Sequence, residues 1–204
     1  MTNRREFLQI GIAATAWPIA SRAAFGATPA TATAAPAAVS TVPLYKAIYD
    51  TRFPESVAFG RQMEARGIAT EAIEGDMTQF WFTDLDLRWR KSPVAIAGLT
   101  AHGPLFCFEQ LAWQHGMRVV FRADHTIDTT GCVQHRLNGP TAMLNGADTL
   151  ATTGWAASMA DLAARCPTGR SQLTTATIQG PKSDTKLAQG DPLISWVIAP
   201  AAKA

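Results

Sequence analysis

The apolar run 94–99 leaves this chain few ways to fold. Val94-Ala95-Ile96-Ala97-Gly98-Leu99 carries no charge and no hydroxyl, and Pro93 precedes it. Six residues are too few for a buried helix. They suit a strand covered on both faces, as in a sheet with helices above and below. The run ends in Thr100-Ala101-His102-Gly103-Pro104. Proline is tolerated in the first turn of a helix, where its missing N–H has no intrahelical partner to lose, so a helix is expected from about residue 105. A buried strand, a short polar turn and a helix start is an arrangement in which α/β folds often hold ligands.

The same alternation extends to both sides. Residues 43–49 read as a strand, and Pro54 and Glu55 open a helix that Gly67 closes. Residues 68–73 form a short second strand. Asp76 and Gln79 fit a capping-box start for a helix whose Met77, Phe80, Trp81, Leu85 and Trp89 share one face. Ser92-Pro93 ends that helix. After the central strand, a helix over 105–115 stops at Gly116, and residues 117–123 form a fourth strand. Parallel strands need crossovers, so the alternation predicts an α/β fold. The expected form is three-layer, with a mostly parallel open sheet of the flavodoxin-like or Rossmann-like kind. Beyond Asp124 the pattern loosens into an irregular C-terminal extension. A hairpin is expected over 125–137 around Thr129-Thr130-Gly131, and no period is evident over 141–154. A helix follows over 155–165, a threonine-rich strand over 173–178, a loop over 180–189, and a last strand over 193–198 that could close the sheet.

The N-terminus reads differently. Asn3-Arg4-Arg5-Glu6-Phe7-Leu8-Gln9, followed by a mildly apolar stretch to Ala20 and then Arg22, resembles a twin-arginine export signal. The resemblance covers about the first 25 residues and implies export of a folded domain to the periplasm. The apolar stretch is too short and too alanine-rich for a permanent membrane anchor. The expected organisation is a signal over 1–26, an Ala/Pro/Thr-rich flexible leader over 27–41, and a single α/β domain over 42–204. Three of the 18 basic residues and one of the 16 acidic ones fall in the signal, which leaves 15 of each. A formally neutral domain has no basic footprint for nucleic acid. Three cysteines make no disulfide scaffold, and no C-x-x-C occurs. In an oxidising compartment Cys132 and Cys166 could pair. Cys107, among Leu105, Phe106, Phe108 and Leu111, is expected to be a buried core thiol.

Ligands of an open parallel sheet sit beyond the carboxyl ends of its strands. Those ends supply Asp50 and Arg52 after the first strand, and Thr100, Ala101, His102 and Gly103 after the third. Arg122 and His125 lie at the end of the fourth. His125 and His135 are placed to face each other across the hairpin, without a third metal ligand. No G-x-S-x-G, P-loop or G-x-G-x-x-G is present, and no cofactor or metal is expected. Two functions compete. One is an exported ligand-binding or accessory subunit, with Trp81, Trp89 and Trp113 offering surface to a partner. The other is a periplasmic hydrolase with His102 as base, Asp50 or Arg52 orienting substrate, and Thr100 nearby. A flavin-binding redox protein is a weaker alternative, because the turn lacks a hydroxyl-rich phosphate loop.

Overall fold

The computed structural model describes residues 41–168, 172–183 and 192–201. The export-like motif and, Thr41 apart, the leader lie outside the described residues. In chain order the elements are β1 (Leu44–Asp50), α1 (Pro54–Ala65), β2 (Thr70–Ile73), α2 (Thr78–Phe80), a π-helical turn (Trp81–Leu85) and α3 (Asp86–Lys91). Then come β3 (Ala95–Thr100), α4 (His102–Gln114), β4 (Met117–Ile127) and β5 (Cys132–Pro140). The last are α5 (Thr141–Leu144), a 3₁₀ turn (Ala147–Ala151), α6 (Trp155–Ala163), β6 (Leu173–Lys182) and β7 (Leu193–Pro200).

The strands form one seven-stranded open sheet, ordered β2-β1-β3-β7-β4-β5-β6. The fold is α/β, but the sheet is mixed and mostly antiparallel, which corrects the expectation of a mostly parallel one. β1 pairs in parallel with β2 and β3. The other four pairings, β3 with β7, β7 with β4, β4 with β5 and β5 with β6, are antiparallel. Two features of the chain explain the difference. Only four residues separate β4 from β5, and so short a link permits only an antiparallel partner. The Asp128 carboxylate makes this turn by accepting the N–H groups of Thr130 and Cys132 at 2.8 and 3.0 Å. The last strand, instead of closing an edge, inserts between β3 and β4. Every residue from Leu193 to Ala199 is buried, as befits a central strand.

The sheet separates two apolar cores. On one face α1 and α6 cover Ala47, Ala97, Leu99, Ala123 and Val197 with Phe59, Met63, Met159 and Leu162. On the other, Trp81, Leu85 and Trp89, with Leu105 and Phe108 of α4, cover Ile48, Ile96, Ile194, Trp196 and Ile198. The Trp196 ring lies across β3 where residue 98 has no side chain. A Cβ there would come within 2.4 Å of the indole, so Gly98 is what lets the central strand carry a tryptophan. The π-helical turn keeps Trp81, Leu85 and Trp89 all on the sheet; the two tryptophans meet edge to face at 5.8 Å, and the His115 ring packs against both at 6.1 and 5.8 Å. Trp81 and Trp89 are therefore core residues, not surface for a partner; Trp113 is half exposed.

Candidate functional site

Among the described residues the buried polar side chains are Asp50, Ser56, Thr100, His125, His135 and Ser195. All six gather along one edge of the sheet, where β1, β3 and β4 end and β5 and β7 begin. They form two groups.

The first ties β1 to β3. The Asp50 carboxylate is wholly buried and accepts from Arg52 three times, at 2.9 Å from Nε, 2.6 Å from the terminal nitrogen and 3.2 Å from the backbone N–H. The arrangement is bidentate, which is why it holds a carboxylate out of water. The hydrogen bond to Asp50 also raises the Arg52 pKa above its ordinary value. The Arg52 head remains about half in solvent. Ser56, in the first turn of α1, accepts the Asp50 N–H at 2.7 Å and donates to the Leu99 carbonyl, which locks the two strand ends together. At the end of β3, Trp196 donates its indole N–H to the Thr100 hydroxyl (3.1 Å), and that hydroxyl donates to the Ala101 carbonyl (3.0 Å). Ala101 precedes α4. His102 and Gly103 are exposed in its first turn, and the His102 ring stacks on Phe106 at 6.2 Å.

The second group spans β7, β4 and β5. β4 and β5 set His125 directly opposite His135, and their Nδ1 atoms approach to 2.6 Å. The other ring nitrogen of His125 lies 2.8 Å from the Ser195 hydroxyl, so Ser195, His125 and His135 form one chain of hydrogen bonds. Trp155, first residue of α6, closes over both rings at 4.4 and 4.8 Å. A single proton is shared between the two Nδ1 atoms. If Ser195 donates to His125, then His125 donates to His135 and leaves His135 Nε2 as a buried N–H. With the tautomers reversed, that Nε2 is a bare acceptor. Either way it is buried and makes no hydrogen bond of normal geometry. It faces Gly180, where a Cβ would come within 2.7 Å of it. Burial, together with the neighbouring imidazole, holds the His125 pKa well below the usual value of 6.5. Burial lowers His135 to about 4, against the opposing pull of the Leu150 carbonyl. Both rings are neutral near pH 7.

A hydroxyl–imidazole–imidazole chain has the composition of an activated nucleophile. Here Ser195 lies inside the central strand, paired with Leu99 on one side and Ala123 on the other, and is wholly buried. The chain is thus a core network that joins three strands. Sequence reasoning finds the two histidines by their hairpin placement. It misses Ser56 and Ser195, because a serine within an apolar run carries no signal of what it will meet across the sheet.

The remaining site residues are spread out. Arg122 lies on the face of β4 away from the histidines and pairs with Asp124 at 2.7 Å. The structure leaves Cys107, Cys132 and Cys166 as free thiols, in place of the expected Cys132–Cys166 bridge. Cys132 opens β5 at the edge where β4 ends. Cys166 lies at the opposite edge, its carbonyl accepting the N–H of Val42 just before β1 (2.8 Å). Cys107 is exposed, contrary to its expected place in the core. α4 turns Pro104, Leu105, Phe108 and Ala112 inward, which points residues 106 and 107 outward. Among the described residues no group of three or more His, Cys, Asp or Glu side chains could hold a metal ion. No helix among them is long and apolar enough to cross a membrane.

Compared with protein-family models, with curated proteins and with solved structures, the chain matches none.

Proposed function

We propose that this chain is exported through the twin-arginine route and works by binding in the periplasm, as a ligand-binding or accessory subunit. The observation that carries this reading is the state of the polar groups along the strand-end edge. Asp50 is neutralised by Arg52, Thr100 is tied to Trp196, and His125 is tied to Ser195 and His135. His135 Nε2 apart, these groups are satisfied by one another, and they tie the strand ends together. What faces solvent beside them is the Arg52 guanidinium, His102, Gly103 and the half-exposed Phe106 ring. A cation after β1, where the Arg52 guanidinium lies against Gly75, and an imidazole stacked on an aromatic ring after β3 are groups that suit recognition of a polar ligand or partner surface. Asp50 spends both carboxylate oxygens on Arg52 and so does not orient His102 as a base.

The test is native mass spectrometry of the chain recovered from the periplasm, beside the Arg52→Lys, His102→Ala double variant. The expected result is a bound small molecule or protein that the double variant retains less well. A folded wild type that carries nothing, and that cleaves ester or amide substrates until His102 is replaced, would turn the reading to the hydrolase. Replacing Arg4 and Arg5 by Lys, with periplasmic recovery as the readout, tests the export route separately: undiminished recovery argues against it.

A further inference from the structure

β6 forms one outer edge of the sheet, with β5 on its inner side only. Among the described residues nothing pairs with its outer side. Sheet edges are ordinarily blunted by shortness, charge, proline or a bulge. The opposite edge, β2, has such protection: it is four residues long and carries Glu71, held in an ion pair with Lys46 at 2.9 Å. β6 is ten residues long, and its first seven, Leu173-Thr174-Thr175-Ala176-Thr177-Ile178-Gln179, contain no charge and no proline. A bulge follows at Gly180 and Pro181, where the register with β5 shifts. The uncharged, bulge-free part of the edge therefore ends at Gln179. Leu173 at its start is 62% exposed, among the most exposed large apolar side chains of the described chain.

We propose that this edge pairs with a second copy of the chain, β6 against β6, antiparallel about a two-fold axis at Ala176. The bulge-free length selects that centre, because seven residues pair end to end only when Ala176 meets itself. On one face Leu173 then meets Gln179 of the copy and Thr175 meets Thr177. On the other, Thr174 meets Ile178. Threonine pairs are favourable across an antiparallel ladder, and no like charges come opposite. The contact is isologous, so it closes at two subunits and does not propagate. The occupant follows from this self-complementarity: an uncharged segment, readable in both directions, whose own sequence supplies the matching strand. A single pair of strands makes a small interface, so the dimer forms in a concentration-dependent way.

Light scattering coupled to size exclusion tests this on the folded chain, from low micromolar to near-millimolar concentration. A mass rising toward twice the monomer is expected. The Thr175→Lys, Thr177→Lys variant sets ammonium groups opposite one another twice, at positions exposed in the monomer, so it stays monomeric with an unchanged thermal midpoint. For register, Thr175→Cys and Thr177→Cys chains are made in a Cys107→Ser, Cys132→Ser background. Mixed under mild oxidation, they cross-link to each other faster than either does to itself. A wild type that stays monomeric throughout overturns the proposal. So does a dimer that survives the lysine pair and cross-links through Gln110→Cys on α4.

Discussion

Acid should destabilise this domain well above the pH at which its carboxylates titrate, and the two buried histidines supply the reason. In the unfolded chain each imidazole takes up a proton near pH 6.5. In the fold, His135 does so only near pH 4, and His125 is displaced in the same direction by burial and by its partner. The unfolded state therefore binds more protons across this window. Stability is complete above about pH 7 and falls as pH drops through 6.5. For His135 alone the difference between 6.5 and about 4 amounts to roughly 2 kcal/mol lost by pH 5, with His125 adding to the loss. That is a large part of a typical domain's stability of about 5–15 kcal/mol. The groups packed around the pair, the Ser195 hydroxyl, the Trp155 ring, the Leu150 carbonyl and Gly180, carry no charge to offset it. Asp128, drawn down to about 2 first by the Thr130 hydroxyl, loses its share only below the window. Urea unfolding at several pH values between 7.5 and 5 measures the slope. His135→Gln keeps an amide beside His125 but cannot titrate, so its slope should be shallower. The reasoning fails if wild-type stability is flat over this range, or if His135→Gln leaves the slope as it was.

Gly98→Ala drives a Cβ into the Trp196 ring in the centre of the sheet and should lower stability by about 1–3 kcal/mol, read in thermal melts with a changed near-ultraviolet tryptophan signal. Arg52→Ala removes both guanidinium donors from the buried Asp50 carboxylate and leaves only the backbone N–H of residue 52. A loss of about 1–3 kcal/mol in urea unfolding is expected, held down because the Arg52 head is half in solvent, and Arg52→Lys should recover only part of it. A thiol reagent should modify Cys107 fastest in the native protein. Cys166, buried and with its pKa raised by burial to about 11, should react only on unfolding. Equal rates for the two would contradict their placement.

Local patterns were legible where neighbours along the chain decide the outcome. The run 94–99 is a buried strand because apolarity on both faces allows nothing else. Pro54 starts α1, and the short link after β4 yields a hairpin that sets His125 against His135. The expected capping box does not form: the cap of the next helix is Met77, without a side-chain bond, and Asp76 accepts the Thr78 N–H from the residue before it. The strand-end edge is likewise where the buried polar side chains collect. Other outcomes were decided by partners distant in the chain. Nothing in Leu193-Ile194-Ser195-Trp196-Val197-Ile198 says whether it caps an edge or fills the centre. Its place between β3 and β4 turns a parallel α/β pattern into a mixed sheet. That placement also brings Ser195 to His125, across 70 residues, and Trp196 to Thr100, across 96. The same holds for the thiols: Cys132 and Cys166 end at opposite edges of the sheet, and the orientation of α4 alone turned Cys107 to solvent. The sequence by itself determined the strands and helices of the periodic segments, since those depend on side chains a few residues apart; it did not show α5 and the 3₁₀ turn within 141–154, nor that β6 runs on to Lys182 where a loop was expected. The tertiary structure decided strand order, direction and the hydrogen-bond partners of the buried polar groups, since these depend on which distant surfaces exclude water together.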